Sequence, residues 1–246
     1  MIPLATTTRF EAFSGEHLVL LLIFVTGLVV AATWGRRVRD TPFEQPARRT
    51  AAVLLGLVAV AMQGYQLTPG DFDIDTSLPL ALCDVATVMA VIALWTRSPR
   101  ASAFTYYVGL TLTSQGVLTP SLAEGFPHPR YFGFWALHFL VVWAAAYLTW
   151  GLGIRPTWRL YRFAVVATLT WAVTVYCFNV VADTNYGYLN GKPSSASLLD
   201  FMGPWPWYVV VEVAVVATVW ALLLTLPWTL AARRRTTSPV PLQTTQ

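Results

Sequence analysis

Residues 16–39 read EHLVLLLIFVTGLVVAATWGRRVR. An unbroken apolar run over 16–35 ends on Arg36, Arg37 and Arg39. About 20 helical residues cross the hydrocarbon core of a bilayer, so this run is long enough to do so. The pattern then repeats, with apolar runs at 50–67, 78–96, 101–119, 131–150, 158–182 and 206–231. Arg48 and Arg49 complete the first basic patch. Arg97 and Arg100 form the second, Arg155, Arg159 and Arg162 the third, and Arg233, Arg234 and Arg235 the last. These patches hold thirteen of the sixteen Lys and Arg residues, and the gaps between them carry acids instead, as in Asp71, Asp73 and Asp75.

This alternation is the positive-inside pattern of a multi-spanning membrane protein. Seven crossings put the N-terminus outside and the Arg-tipped C-terminus in the cytoplasm. Because the runs are continuous, helices are favoured over barrel strands, which would alternate. The expected fold is all-α: a polytopic seven-transmembrane-helix bundle forming one domain over residues 1–235. Residues 236–246, rich in Thr, Pro and Gln, read as a disordered cytoplasmic tail. Outer loops fall at 67–77, 120–130 and 183–205.

Composition agrees. The 246 residues are 56% hydrophobic and 11% charged, against about 25% charged in soluble domains. The net charge of +4 does not point to nucleic acid, because the basic residues sit at run ends, where insertion and anionic lipid account for them. Membrane lipids are the expected partners, and the sequence leaves the oligomeric state open. Cys83 and Cys177 both lie inside apolar runs, so no structural disulfide is expected. Arg9 is followed by Glu11 and Glu16, so no basic region precedes the first run. That run reads as a retained span of a multi-pass protein of the cell membrane, not a cleaved signal peptide.

Topology places the polar residues in depth, at about 1.5 Å per residue along a helix. The third run enters from outside near Leu78, which puts Cys83 and Asp84 about one and a half turns deep. His138 lies about two turns into the fifth run. Glu16 and His17 stand at the mouth of the first run, and Gln63, Ser114 and Gln115 near the outer ends of the second and fourth. Asn179 and Asp183 lie at the outer end of the sixth, and Glu212 within two turns of the start of the seventh. The inner halves are nearly bare of ionisable groups. Such groups are costly in a membrane and usually face a bundle interior or a wet cavity, so one polar cavity open to the outer leaflet is expected. Glu16, His17 and Asp183 also fit simple snorkelling at span ends. Asp84, His138 and Glu212 are too short to reach the interface from their depth.

A Cys, a His and a carboxylate or amide at one depth suit nucleophilic acyl transfer. The thiolate attacks an ester carbonyl, the imidazole carries the proton, and a third group orients the imidazole. Cys83 and His138 are the only such pair. Cys177, between Tyr176 and Phe178, reads as packing. The bland alternative makes Cys83 a small apolar filler and His138 a helix-to-helix hydrogen-bond donor. Three His and two Cys show no metal-ligand spacing, and no cofactor is expected.

The stretches Leu78-Pro79-Leu80-Ala81-Leu82-Cys83-Asp84, Gln115-Gly116-Val117-Leu118-Thr119-Pro120, Phe126-Pro127-His128, Asn185-Tyr186-Gly187-Tyr188-Leu189 with Lys192-Pro193, and Ser197-Leu198-Leu199-Asp200-Phe201-Met202-Gly203-Pro204-Trp205-Pro206-Trp207-Tyr208 carry a resemblance. Together with the span around His138, they resemble the bacterial YwaF-like integral membrane proteins, related to the animal transmembrane protein 164 family. The resemblance implies a seven-helix membrane protein. It also implies, from the animal branch, a phospholipid acyltransferase that moves a fatty acyl chain onto ether lysophospholipid with a Cys and a His as catalytic pair. Those positions match Cys83 and His138. One position departs: bacterial relatives commonly read LPLHLC, and this chain has Ala81 where that His would be.

The leading expectation is a membrane-embedded lipid acyltransferase or transacylase with Cys83 as nucleophile and His138 as general base. Asp84, Asn185 and Glu212 are candidates for orienting His138 or holding a headgroup, with Gln115, Tyr188 and His17 as further polar neighbours. Lys192 and Arg130 are outer-side cations for a phosphate, Arg130 reading more readily as a plain surface charge. The alternative is a small-molecule or lipid transporter or binding protein without covalent catalysis. Against it stand the bare inner halves and the absence of an inverted repeat. A sensor or assembly factor without turnover ranks third, since short loops leave little surface for a partner.

Overall fold

The computed structural model describes residues 9–193 and 197–236. Each apolar run becomes a helix: α1 Gly15–Val38, α2 Glu44–Gln66, α3 Leu82–Thr96, α4 at 99–118, α5 Pro129–Gly151, α6 Trp158–Ala182 and α7 at 207–236. Among the described residues there is no strand beyond one isolated bridge, Arg9 to Glu124. Of these helices, α1, α5, α6 and α7 are long and apolar enough to cross a membrane.

Local chemistry sets the helix starts. Ser14, Ser98, His128 and Thr157 each accept a first-turn backbone N–H as N-cap of α1, α4, α5 and α6, and prolines at 99 and 129 follow two of them. Two boundaries differ from expectation. Helix α2 begins six residues before its apolar run, because Glu44 and Arg48 are buried in protein rather than stranded in lipid. Helix α3 begins at Leu82, four residues into its run, after a turn at Leu78–Ala81. Pro79 disfavours helical backbone at Leu78, and Asp84 caps the later start by accepting the Ala81 N–H at 3.0 Å. The resulting fifteen-residue helix is about 22 Å long. The last helix runs to Thr236, and the rest of the expected tail, 237–246, lies outside the described residues.

The bundle is apolar on its outer surface, and its largely apolar interior also holds polar groups. Leu22, Val29, Val60, Val173, Val181 and Leu223 are exposed, whereas Thr105, Tyr107, Asn179 and Thr225 are buried. Helix α4 is central: every residue from Ala101 to Val108 is buried. Side-chain hydrogen bonds fasten α7 to it. Tyr107 and Thr225 share one at 2.7 Å, Trp220 Nε1 donates to Thr111 Oγ1 at 3.0 Å, and Tyr106 donates to the Leu224 carbonyl at 3.1 Å. Helices in lipid gain little from apolar burial against each other, so such bonds and close packing hold them together, at about 0.6 kcal/mol per bond on average. Helices α1 and α5 meet at Gly35 and Gly151, where a Cβ on Gly35 would come within 2.7 Å of the Gly151 Cα.

The basic end does more than mark topology. Arg48 donates to the Leu94 carbonyl and, at 2.7 Å, to the Trp95 carbonyl at the end of α3. It also pairs with Glu44 at 2.8 Å, and Arg97 joins at 3.6 Å. Arg36 and Arg39 donate to the Trp150 and Gly151 carbonyls, at 3.1 and 2.9 Å, where α5 ends. Last-turn carbonyls lack partners within their own helix, and these guanidinium groups supply them. Arg48→Leu leaves Glu44 with only the longer Arg97 contact and strands two main-chain carbonyls. It is expected to lower stability by about 3–5 kcal/mol, while exposed Arg49→Leu costs less than about 1 kcal/mol. Denaturant unfolding of the two variants in detergent micelles measures the difference.

Candidate active site

A cavity of about 310 Å³ lies at the end of the bundle opposite the arginines, between α2, α3, α4 and α5. Cys83, Asp84 and Thr87 line it from the first turns of α3, Thr113 from α4, and Phe134, Leu137 and His138 from α5. Thr76, Ser121, Glu124 and Arg130 line its loop side. Two polar residues from separate sequence regions, Cys83 and His138, therefore share one chamber, as their matched depth implied.

Each is held in place locally. Cys83 is the second residue of α3, and Thr87 bonds its carbonyl at 2.8 Å. The Cys83 N–H, in that first turn, has no carbonyl partner within the helix. His138 stacks on Phe134, ring centroids 4.1 Å apart, and its Nδ1 lies 2.7 Å from the Phe134 carbonyl. A carbonyl only accepts, so Nδ1 carries the proton and Nε2 keeps its lone pair in the neutral ring. Gly116 makes room for that edge: a Cβ there would lie 3.0 Å from Nε2. The group that orients His138 is thus a main-chain carbonyl, not Asp84, Asn185 or Glu212. Asp84 lines the cavity, but one of its carboxylate oxygens is committed to the Ala81 N–H.

The other expected residues lie elsewhere. His17 is fully buried as a tie between helices: Nδ1 accepts the Phe13 N–H, and Nε2 lies 2.9 Å from the Val117 carbonyl. Gln115 is half-buried outside the lining, its carbonyl taken by Thr119 at 2.8 Å. Asn185 folds the loop after α6, accepting the N–H groups of Asn190 and Gly191 and donating to the Gly191 carbonyl. Lys192 pairs with Asp200 at 3.8 Å and sits over the Tyr208 ring. Tyr188 receives the Tyr208 hydroxyl on its carbonyl. Glu212 is half-buried on α7, also outside the lining. Cys177 is exposed on α6 rather than packed.

That loop acts on the cavity from behind. Tyr186 donates to the Ile74 carbonyl at 2.6 Å and accepts the Leu78 N–H at 2.9 Å, and Trp171 donates to the Leu80 carbonyl at 2.9 Å. Trp205 in turn donates to the Leu189 carbonyl at 3.0 Å, which ties the loop to itself. The motifs around 185–189 and 203–208 therefore brace the turn from which the Cys83 helix starts.

The sequence reading missed Thr87 and Thr113 among the lining residues and undervalued Arg130. Arg130, read as a surface charge, belongs to the cavity wall, where it pairs with Glu124 at 3.4 Å. Thr87 and Thr113 carried no signal in a run of apolar residues, although Thr113 lies one turn before Gly116.

The sequence profile of the TMEM164 family matches residues 12–224. The chain belongs to the TMEM164 family. No curated protein and no solved structure matches it. The matched region takes in the cavity, its bracing loop and the helices around them, so family membership agrees with a membrane protein of several apolar helices and a lipid-related role. The TMEM164 match also includes Ala81, which lines the cavity beside Cys83.

The cap geometry separates two roles for Asp84. Asp84→Asn keeps an acceptor oxygen for the Ala81 N–H, so stability should stay within about 0.5 kcal/mol of the parent, whereas Asp84→Ala should lose roughly 1 kcal/mol. Thermal unfolding in detergent checks both, and a catalytic carboxylate would instead show as lost activity in the Asn variant at unchanged stability.

Proposed function

We propose that this protein is a membrane-embedded lipid acyltransferase or transacylase of the bacterial YwaF-like branch, working from a cavity open to the outer leaflet of the cell membrane. On this reading the chain crosses seven times, N-terminus outside and C-terminus in the cytoplasm. The observation that carries the reading is the shared cavity of Cys83 and His138, with the Phe134 carbonyl holding the Nδ1 proton.

The chemistry follows from that arrangement. His138 Nε2 takes the Cys83 thiol proton as the sulfur bonds to the carbonyl carbon of a donor lipid ester. The carbonyl π pair moves onto oxygen and then returns, breaking the ester C–O bond. The departing oxygen takes the proton from Nε2, leaving a Cys83 thioester and a lysolipid. An acceptor hydroxyl then gives its proton to Nε2 and attacks the thioester, and the sulfur leaves to recover that proton. Arg130 at the cavity wall is placed for a headgroup phosphate, which would take the place of Glu124 as its partner, whereas Lys192 lies outside the lining. Because the cavity faces outward on this reading, the donor is another lipid and not cytosolic acyl-CoA. The transport reading is less well supported, since the inner halves of the apolar runs are nearly bare of the ionisable groups that would continue a path from the cavity.

Acyl exchange between a phospholipid and a lysophospholipid in proteoliposomes tests the mechanism. Cys83→Ala and His138→Ala should each lower the rate at least about 100-fold, and undiminished exchange in both variants removes the mechanism. Orientation has its own test. A membrane-impermeant thiosulfonate should modify Cys83 in right-side-out vesicles. Modification confined to inverted vesicles would reverse the topology and restore acyl-CoA as donor.

A further inference from the structure

We propose that the Thr113 hydroxyl donates a hydrogen bond to the acyl carbonyl oxygen as Cys83 attacks it, an assignment that rests on the acyl-transfer reading above. Threonines in these helices habitually return their hydroxyl to the carbonyl four residues back. Thr87, Thr96, Thr105, Thr111, Thr170 and Thr218 all do so, at 2.6–2.9 Å. Thr113 is denied that partner. Residues Gly109–Thr113 form a π-helical turn, in which the Ser114 N–H reaches back to the Gly109 carbonyl, and the Ser114 hydroxyl bonds the same oxygen at 2.9 Å. Gly109 is the residue four before Thr113, so its carbonyl is already taken twice.

The Thr113 hydroxyl is therefore left without a hydrogen-bond partner, although the residue is only 3% exposed. Six described side chains carry such a buried polar atom, and of these only Thr113 lines the Cys83 cavity. Buried hydroxyls normally find a partner, and π-turns often mark functional sites. A hydroxyl both donates and accepts, but the cavity's acceptor role is already filled by His138 Nε2. What the reaction lacks is a donor. When the sulfur bonds to the carbonyl carbon, the π pair moves onto oxygen, while the thiol proton rests on His138. Hydrogen-bond donors aimed at that oxygen offset the charge on it. The Cys83 N–H, unpaired within its helix turn, supplies one donor and Thr113 the other. As the ester C–O bond breaks, the π pair returns and both donors release the oxygen.

The test compares two reagents at one thiol, in nanodiscs, with Cys177→Ala present so that Cys83 is the single cysteine. p-Nitrophenyl decanoate acylates the sulfur through an oxyanion, whereas iodoacetamide alkylates it without one. Thr113→Val keeps the shape and removes the hydroxyl. Acylation should slow about 100-fold, the size seen on losing one oxyanion donor, with alkylation within about twofold of the parent and Thr113→Ser recovering most of the acylation rate. Equal acylation in the Val variant and its parent, or a parallel fall in both reactions, overturns the assignment while leaving acyl transfer intact. Failure of the ester to acylate Cys83 in the parent sinks the acyl-transfer reading, and this assignment with it.

Discussion

Everything at the cavity depends on four residues that are not helical. Leu78–Ala81 form a turn at the start of an apolar segment, in a place where backbone N–H and C=O groups must find partners within the protein. Two of the partners come from far along the chain and the third from the first turn of α3 itself. Tyr186 bonds the Leu78 N–H, Trp171 bonds the Leu80 carbonyl, and Asp84 bonds the Ala81 N–H. Those bonds decide where α3 begins, and the beginning of α3 decides where the Cys83 sulfur stands. The loop at 183–205 is thus structural in its contacts and functional in its effect.

Much of this fold was legible in the sequence because apolar continuity and charge alternation are one-dimensional signals. The run 158–182 coincides with α6, and the shared chamber of Cys83 and His138 agrees with the residue count along runs read as alternating in direction. What could not be counted was direction around the helix axis. His17 and Gln115 share the cavity's depth and face away from it, and Lys192 finds an acid on its own loop. The start of α3 was misplaced because hydrophobicity does not distinguish a helical residue from one in a braced turn. Thr113 was invisible for a related reason: a π-turn changes which side chains share a face, and nothing in the spacing of residues 101–119 announces one.

The two ends of the bundle are built on different terms. At the basic end, guanidinium groups close the carbonyl ends of α3 and α5, and a buried carboxylate ties two of the arginines together. At the cavity end, several polar groups are committed to main-chain atoms, while His138 Nε2 and the Thr113 hydroxyl are left for other partners. Membership of the TMEM164 family is consistent with a membrane protein of lipid-related role. Ala81 falls on the cavity wall itself, and the chamber is lined by a single imidazole, that of His138.

The burial of α4 has a consequence for biosynthesis. Its stretch 101–108 has no face to offer lipid, and the groups that satisfy Tyr106, Tyr107 and Thr111 lie on α7. A ribosome delivers α4 before α5, α6 and α7, so this helix must wait, with its tyrosine hydroxyls unanswered, until the last helix has been made. The centre of the bundle is consequently the final part to close, and a chain cut short before α7 would lack the partners of its own core.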